Sequence, residues 1–257
     1  MIKKILLSVL GEKRYLSLLA SSFQRVFPTG WLGSSYQDIY FLKNIIGEGA
    51  YCVDIGAHLG YYTLELSRLV KASGKVIAIE PMSKFNQALR DLLKQRRVGN
   101  TTVYQVAMGG DGPWVDMGIP RIGSMKKFAY ARVMNSNTTL EYIESERVKN
   151  ESGDHLFLGL PRVDFIKCDV EGLELSVFSS MTETIRLHQP ILLCELGAKQ
   201  DRISLLGMVA PFGYRVYLLE KGRLRLLDPE SDRTAISHNH YFLPAKHAIR
   251  LRHLIDD

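Results

Sequence analysis

The feature of this sequence that most constrains its fold is the alternation of short apolar runs with longer amphipathic segments. The apolar runs, each of strand length, occupy residues 50–55, 75–80, 101–107, 163–169 and 190–195. The amphipathic segments, which place leucines at helical spacing, occupy residues 59–70, 83–97 and about 173–181. Strands that are apolar on both faces and alternate with helices are typical of a parallel sheet covered by helices on each side. The pattern therefore predicts a Rossmann-like α/β fold.

Two regions depart from this alternation and define the domain organisation. Residues 1–46 carry an amphipathic helical pattern before any strand, so we expect an N-terminal helical extension. Residues 108–160 are richer in Gly, Asn, Ser and charged residues, which predicts an irregular or β-rich insertion near the functional site. A hairpin over residues 214–227 and a last short strand at 241–244 are expected to follow. One domain over residues 47–257 is the simplest description.

Charge and cysteine content point away from several classes of protein. The net charge of +6 and the pI of about 9.1 permit an anionic partner without selecting one. The basic clusters at 94–97 and 121–127 do not alternate with aromatic residues, so no nucleic-acid partner is expected. The three cysteines lie far apart inside predicted strands, which indicates buried, reduced thiols in a cytoplasmic protein. Their spacing does not indicate a metal site, and a metal requirement stays open.

The N-terminal segment allows two interpretations. Residues 1–10 resemble the start of a signal peptide, but charged residues follow where small residues would form a cleavage site, so we expect the segment to be retained. The apolar residues of 1–14 fall on one helical face with basic residues nearby. Such a helix can lie in an anionic interface at the inner membrane face, or it can pack on the domain or on a second subunit. No apolar stretch reaches the roughly 18 residues that a membrane span requires.

The strongest local signal is the sequence from Val53 to Gly60, where a strand ends in a carboxylate and a turn leads into a helix. Open α/β sheets bind ligands at the carboxyl ends of their strands, where this turn lies. Gly56 and Gly60 are expected to leave room for a ligand because they lack a Cβ atom. His58 occupies the second glycine position of the dinucleotide fingerprint, which disfavours a nicotinamide-dependent oxidoreductase. Asp54 is expected to attract the sulfonium and ammonium end of S-adenosylmethionine.

A second acidic residue, Glu80, ends the next predicted strand. A carboxylate at this point can accept both hydrogen bonds from a ribose diol. Pro81 then ends the strand, and Ser83 is expected to cap the helix that follows. The glycine turn and the strand-end acid together predict a nucleoside-binding site.

The third signal is the run 163–174, which ends a central strand and begins a helix. Asp169 and Glu171 are expected on the same side if the strand continues that far, facing the cleft beside the glycine turn. Repulsion between two nearby carboxylates raises the pKa of one of them, which suits a general base. Glu195, at the end of the next strand, is expected to orient either carboxylate or the acceptor. Glu174 is expected to stabilise the start of the helix.

These two long motifs together resemble a known family. Residues 53–63 and residues 164–174 are similar to the corresponding motifs of the FkbM family of methyltransferases, and the similarity extends over roughly residues 36–244. The second motif is more specific than the glycine turn. His58 stands where such sequences often carry Asn, and residues 108–161 are less like the family. The insertion is therefore the expected place for acceptor binding.

The resemblance implies a class I methyltransferase sheet of seven, mostly parallel strands with the last one antiparallel and helices on both faces. It also implies S-adenosylmethionine as cofactor and methyl transfer to a hydroxyl, on a sugar, a glycan or a small molecule. The residues predicted to bind the cofactor are Asp54, Gly56, Ala57, His58, Gly60, Glu80, Pro81 and Ala107. The residues predicted to act in catalysis are Asp169, Glu171 and Glu195. Asp169 is the first candidate for the acceptor proton and Glu171 the second.

Two other functions remain open on the sequence alone. A methyltransferase acting on RNA fits the basic charge, but the sequence lacks an Asn-Pro-Pro-Tyr-type tetrad and an aromatic-basic platform. A non-catalytic nucleoside-binding module would keep the glycine turn. The presence of Asp54, Glu80, Asp169 and Glu171 together favours an enzyme over such a module.

Overall fold

The computed structural model describes residues 2–26, 36–122, 125–126, 128–134, 140–231 and 239–256. Its helices are α1 Ile2–Val26, α2 Gln37–Ile45, α3 Tyr61–Val70, α4 Ser83–Gln95, α5 Gly153–Phe157, α6 Glu174–Ser179, α7 Thr182–His188, α8 Lys199–Val209 and α9 Ala245–Arg250. Its strands are β1 Tyr51–Ile55, β2 Lys75–Ile79, β3 Thr101–Tyr104, β4 Trp114–Ile122, β5 Met125–Lys126, β6 Arg132–Val133, β7 Tyr142–Lys149, β8 Phe165–Cys168, β9 Ile191–Glu195, β10 Tyr214–Glu220, β11 Arg223–Leu226, β12 Asn239–Pro244 and β13 Ile255–Asp256.

The main sheet confirms the predicted arrangement. Its strand order is β3-β2-β1-β8-β9-β12-β10-β11-β13. The first seven of these strands form the expected sheet, in which β12 runs antiparallel to both of its neighbours, β9 and β10. The predicted hairpin is also present, and its second strand, β11, extends the sheet together with β13 to nine strands within the described residues. The helices follow the predicted alternation, so the α/β class is confirmed.

The core lies on both faces of the sheet because the central strands are apolar on both sides. Phe165 and Ile166 are neighbours in β8, both are fully buried, and they belong to different apolar clusters. Phe165 packs with residues of α2 and α3, whereas Ile166 packs with residues of α6, α7 and α8. Side chains alternate across a strand, so two neighbours reach the two layers. This packing fixes β8 at the centre of the fold.

The N-terminal extension is helical, as predicted, and its second part belongs to the fold. At Gly11 (φ 72°, ψ 162°) the backbone of α1 leaves helical geometry and the helix is kinked. Four side chains beyond the kink are buried against the domain: Tyr15, Leu16, Ala20 and Phe23. Glu12 forms a salt bridge with Lys84 of α4, with 2.5 Å between Oε1 and the ammonium nitrogen. The part of α1 beyond the kink therefore packs on the domain, and the partner of the apolar face of residues 1–14 stays a prediction.

The insertion is β-rich, as expected, and forms a second, smaller sheet. Strand β4 pairs antiparallel with β5, β6 and β7. Lys84 joins this sheet to the rest of the chain because it also contacts Glu144 of β7. The insertion is thus anchored to both α4 and α1.

Three predicted boundaries need correction. Ser83 does not cap α4: Met82 holds the N-cap position and no side chain caps there. The backbone N–H groups at the start of the helix donate instead to two carboxylates. The Met82 N–H donates to Glu80 at 2.9 Å, and the Ser83 N–H donates to Glu146 at 2.9 Å. Strand β3 ends at Tyr104, before the predicted end at residue 107. The helix predicted over 173–181 is α6, which ends at Ser179, and a second short helix, α7, follows it before β9.

The cysteines and the helices agree with the remaining expectations. Cys52, Cys168 and Cys194 are buried and free, as predicted. None of the helices in the described ranges combines the length and the apolar character that crossing a bilayer takes.

Candidate active site

The carboxyl ends of β1, β2 and β8 meet at one edge of the main sheet and border a cavity. Because β1 and β8 are parallel neighbours with Ile55 opposite Cys168, the residues that follow these two strands come together. Eight residues predicted for the site line the cavity: Gly56, Ala57, His58, Glu80, Pro81, Ala107, Asp169 and Glu171. Asp54, Gly60 and Glu195 do not line it.

The two glycines of the turn pack closely against protein atoms. Gly56 (φ 79°) and Gly60 (φ 83°) both adopt the left-handed conformation that glycine tolerates best. A Cβ atom on Gly56 would lie 1.9 Å from the backbone oxygen of Asp169. A Cβ atom on Gly60 would lie 2.5 Å from the side chain of Leu89. Packing within the protein therefore accounts for both glycines, and since Gly56 also lines the cavity, its contact with a ligand stays a prediction.

Asp54 lies behind the cavity wall, where it is fully buried. Its Oδ2 accepts a hydrogen bond from the Thr63 hydroxyl at 2.5 Å, and its Oδ1 lies 3.8 Å from the Lys167 ammonium nitrogen. Burial raises the pKa of Asp54, and the nearby Lys167 charge opposes this shift. The direct attraction of a cationic ligand that was expected of Asp54 is replaced by an ion pair within the wall.

Lys167 connects three parts of the site. Its ammonium nitrogen lies 3.1 Å from Oδ2 of Asp169 and donates a hydrogen bond to the Gly56 carbonyl at 3.3 Å. It also lies 5.1 Å from the ring centroid of Tyr62. Burial disfavours its charge, but Asp169 and Asp54 outweigh burial and raise the pKa of Lys167. The ammonium therefore stays charged and holds Asp169 against the turn.

Glu80 is almost completely buried, with 4% of its surface exposed. Its Oε2 accepts a hydrogen bond from the His58 backbone N–H at 2.8 Å, and its Oε1 accepts one from the Met82 N–H at 2.9 Å. Burial raises the pKa of Glu80 to about 7, although these two hydrogen bonds lower it. A carboxylate has about four acceptor positions, so Glu80 retains capacity for a ligand at the cavity wall.

Glu171 reaches the cavity in a different way from the one expected. Strand β8 ends at Cys168, so side-chain alternation does not carry over to the residues beyond it. Glu171 instead adopts a left-handed backbone conformation (φ 61°), which is unusual for a residue other than glycine. The Glu174 carboxylate accepts hydrogen bonds at 3.1 Å from the N–H groups of Val170 and Gly172 and so holds both sides of this residue. Glu174 was expected to stabilise the start of the helix, and it also stabilises the loop that precedes the helix.

The ionisation of Glu171 is set by its neighbours. Burial raises the pKa of Glu171 to about 7, Asp169 and Glu195 act in the same direction, and Arg132 lowers it. Arg132 donates a hydrogen bond to Oε2 of Glu171 at 2.8 Å. The expected pKa rise from two close carboxylates thus occurs at Glu171. Glu195 is exposed at the end of β9 and does not line the cavity, and its role in orienting the acceptor stays a prediction.

Comparison with known families identifies the chain. The family model described as methyltransferase FkbM domain matches residues 54–223. The chain belongs to the FkbM methyltransferase family. This range contains both predicted site motifs, the glycine turn and the Asp169 loop. No curated protein matches the chain significantly.

A solved structure of an FkbM methyltransferase shows the same fold. The methyltransferase FkbM from Methylobacillus flagellatus KT is 19% identical and has a TM-score of 0.52, over 80% of this chain and 47% of that protein. A SAM-dependent O-methyltransferase from Thermotoga maritima is 15% identical and has a TM-score of 0.44, over 81% of this chain and 64% of that protein. The chain thus spans about half the length of the first structure and less than two thirds of the second.

His58 contributes its imidazole ring to the cavity wall. Its ring packs against Phe85 with 4.4 Å between the ring centroids. Burial lowers the pKa of His58 to about 4, so the imidazole is neutral at physiological pH. Its Nε2 is buried and has no hydrogen-bond partner among the residues that the structure describes. A buried polar atom without a partner is costly, which makes Nε2 a candidate for contact with a ligand.

The insertion also contributes to the cavity wall, with residues that the sequence analysis missed. Met117, Phe128, Ala131 and Val133 line the cavity and give this side an apolar character. Sequence patterns did not single out these residues because the insertion lacks a clear period. Lys167 was also missed as a site residue. A signal existed for it, because a lysine inside an otherwise apolar strand must be paired when buried.

The described residues do not contain a group of three His, Cys, Asp or Glu side chains that is arranged to hold a metal ion.

Proposed function

We propose that this FkbM family member transfers a methyl group from S-adenosylmethionine to a hydroxyl on a sugar, a glycan or a small molecule. The observation that carries the proposal is the Glu171 carboxyl group, which lines the cavity beside Asp169 and has its pKa raised to about 7. A base is most effective when its pKa lies near the working pH, because it is then both available and able to accept a proton.

The sheet side of the cavity fits S-adenosylmethionine. The Glu80 carboxyl group lies in the wall, where it can accept hydrogen bonds from the ribose hydroxyls. The apolar side chains of Ile79, Pro81 and Val106 line the same wall and suit the flat adenine ring. His58 offers its unpartnered Nε2 on the same wall. Asp169 supplies negative charge for the cationic end. When bound, S-adenosylmethionine supplies an electrophilic methyl group on its sulfonium.

The insertion side fits the acceptor. Its wall is formed by Met117, Phe128, Ala131 and Val133, so the acceptor presents an apolar face or chain next to its hydroxyl. A sugar ring, which has an apolar face, and an apolar small molecule both meet this requirement. The acceptor specificity of this chain then resides in the insertion, the part of the sequence that is least like the family.

Asp169 and Glu171 differ in how well they can accept the proton of the acceptor hydroxyl. Oδ2 of Asp169 is held by the Lys167 ammonium at 3.1 Å, whereas the pKa of Glu171 is raised to about 7 by burial and by nearby carboxylates although Arg132 lies beside it. Glu171 is therefore the first candidate to accept the acceptor proton, and Asp169 the second, which reverses the order that the sequence suggested. Oε1 of Glu171 has no hydrogen-bond partner within the described ranges and is left for that proton.

A cytoplasmic location and the absence of a nucleic-acid partner remain part of this proposal. The basic clusters of the sequence do not alternate with aromatic residues. We further propose that residues 1–14 contact an anionic membrane surface, with packing on the domain or on a second subunit as the alternative.

Replacement of Glu171 tests the proposed chemistry. Extracts of cell-surface glycans and small metabolites from cells with and without the gene are compared by mass spectrometry for the loss of one methyl group, which identifies the acceptor. On that acceptor, Glu171→Gln is expected to lower turnover by roughly 10²–10⁴-fold with cofactor affinity unchanged. Glu141→Gln, an exposed carboxylate of the insertion, serves as the matched control. Wild-type turnover in Glu171→Gln contradicts the role of Glu171 as the base.

A further inference from the structure

Arg132 is a charged residue that the insertion brings to the catalytic loop. It lies in β6 of the small sheet, and the loop that carries Glu171 follows β8 of the main sheet. The guanidinium Nη2 donates a hydrogen bond to Oε2 of Glu171 at 2.8 Å. Both side chains are 26% exposed, so the pair is partly shielded from solvent. Each sheet thus contributes one member of a charge pair at the cavity.

Stability does not explain this arrangement. Glu171 keeps a left-handed backbone, which costs free energy in a residue with a Cβ atom. The Nε of Arg132 is buried and has no hydrogen-bond partner among the described residues, which is a further cost. Costs of this kind persist where the surrounding structure enforces them, and they cluster at functional sites.

The charges around Glu171 give the pair an electrostatic role. Three acidic residues face Glu171: Asp169 from its own loop, Glu195 from the end of β9 and Glu174 from α6. Each raises the pKa of Glu171, and burial raises it further. Arg132 acts in the opposite direction by stabilising the charged form. Without Arg132, a larger fraction of Glu171 would carry a proton at physiological pH and could not accept one from a hydroxyl.

We propose that Arg132 is a positioning residue through which the insertion favours the ionised form of Glu171 and holds its carboxylate by one oxygen. The inference rests on the proposed function, in which Glu171 accepts the acceptor proton. In each turnover that proton would pass from the hydroxyl to Oε1 and then to solvent, while Oε2 stays bonded to Arg132. The insertion then contributes to catalysis as well as to acceptor binding.

Direct titration of Glu171 tests the inference without methyl transfer. The carboxyl carbon of Glu171 is followed by ¹³C NMR in the full-length protein, with Glu171→Gln identifying its signal. In Arg132→Met the pKa of Glu171 is expected to rise by about one unit or more, the usual effect of removing an adjacent opposite charge. Arg132→Lys restores a positive charge and is expected to recover most of the wild-type value. Arg121→Met, which removes an exposed arginine of the same insertion, is the matched control and leaves the pKa unchanged.

The outcomes separate this inference from the proposed function. If the pKa of Glu171 is the same in Arg132→Met and in wild type, the inference is overturned and the methyl-transfer proposal stands. If the pKa rises but Glu171→Gln transfers methyl groups at the wild-type rate, Glu171 is not the base and the proposed chemistry is overturned. Arg132→Gln, which also lacks the charge, carries the same expectation should Arg132→Met fail to fold. On the identified acceptor, Arg132→Met is also expected to shift the acidic limb of the pH–rate profile upward, and Arg132→Lys to reverse that shift.

Discussion

The ammonium nitrogen of Lys167 lies 3.1 Å from Oδ2 of Asp169, inside a wall where the lysine side chain is 6% exposed. Asp54 stands directly opposite Lys167 in the parallel pairing of β1 with β8. Two carboxylates therefore share one buried ammonium, and the lysine links the strand that begins the site to the loop that carries its catalytic candidates. Removing one partner of a buried ion pair leaves an uncompensated charge.

Lys167→Met is expected to destabilise the fold by about 3–5 kcal/mol, because Asp54 loses its opposite charge while it remains fully buried. The double variant Lys167→Met with Asp54→Asn is expected to recover part of that loss, since it removes the unpaired charge as well. Urea unfolding of the two variants and the wild type measures both effects. Equal stabilities of the single and double variants would show that Asp54 does not depend on Lys167.

Glu80 predicts a pH dependence of stability with a defined sign. Its pKa is about 7 in the fold against an ordinary value of 4.5, so between these pH values the folded chain holds a proton that the unfolded chain releases. Its contribution is fully present below about pH 4.5 and is lost as pH rises through about 7, by about 3 kcal/mol in total. The slope of unfolding free energy against pH is therefore expected to be less negative in Glu80→Gln. Glu48→Gln, at an exposed carboxylate, should leave the slope unchanged.

Gly56 predicts a conformational requirement at the turn. In Gly56→Ala the new methyl group would lie 1.9 Å from the Asp169 carbonyl oxygen, and the backbone has a left-handed φ of 79°. We expect a loss of stability of about 2 kcal/mol or more, together with displacement of the Asp169 loop. Gly159→Ala, where a Cβ atom meets open space, is the control and should change stability little. Thermal unfolding of the two variants provides the comparison, and equal effects would contradict the packing argument.

The segment 1–14 has a prediction of its own. The membrane proposal requires that the full chain co-sediments with anionic vesicles and that deletion of residues 1–14 abolishes this binding with the fold intact. Val9 is 74% exposed, whereas Leu16, beyond the Gly11 kink, is 1% exposed. If the deletion unfolds the protein or dissociates a dimer, the segment belongs to the core or to a subunit interface instead.

The sequence predicted the fold and the edge where the site lies, for physical reasons that the structure makes clear. Strands that are apolar on both faces are recognisable in sequence, and parallel strands place their carboxyl ends at one edge. Gly56, Glu80, Asp169 and Glu171 could therefore be assigned to one cavity.

The remaining contacts depend on geometry that sequence patterns do not contain. The ion pair of Lys167 with Asp54 depends on the register of β1 against β8. The contact of Arg132 with Glu171 joins two sheets across 39 residues. The order of Asp169 and Glu171 as candidate bases depends on burial and on the contacts of the two carboxylates with Lys167 and Arg132, which the sequence does not show.

The most direct test of the central claim, that this cavity binds S-adenosylmethionine for methyl transfer, is calorimetric titration of the full-length protein. S-adenosylmethionine, S-adenosylhomocysteine and NAD are titrated side by side into the wild type and into Glu80→Ala. We predict binding of the first two ligands and none of NAD, with affinity for S-adenosylhomocysteine weakened by about 1–3 kcal/mol in Glu80→Ala. Binding of NAD alone, or an unchanged dissociation constant in Glu80→Ala, would contradict the account.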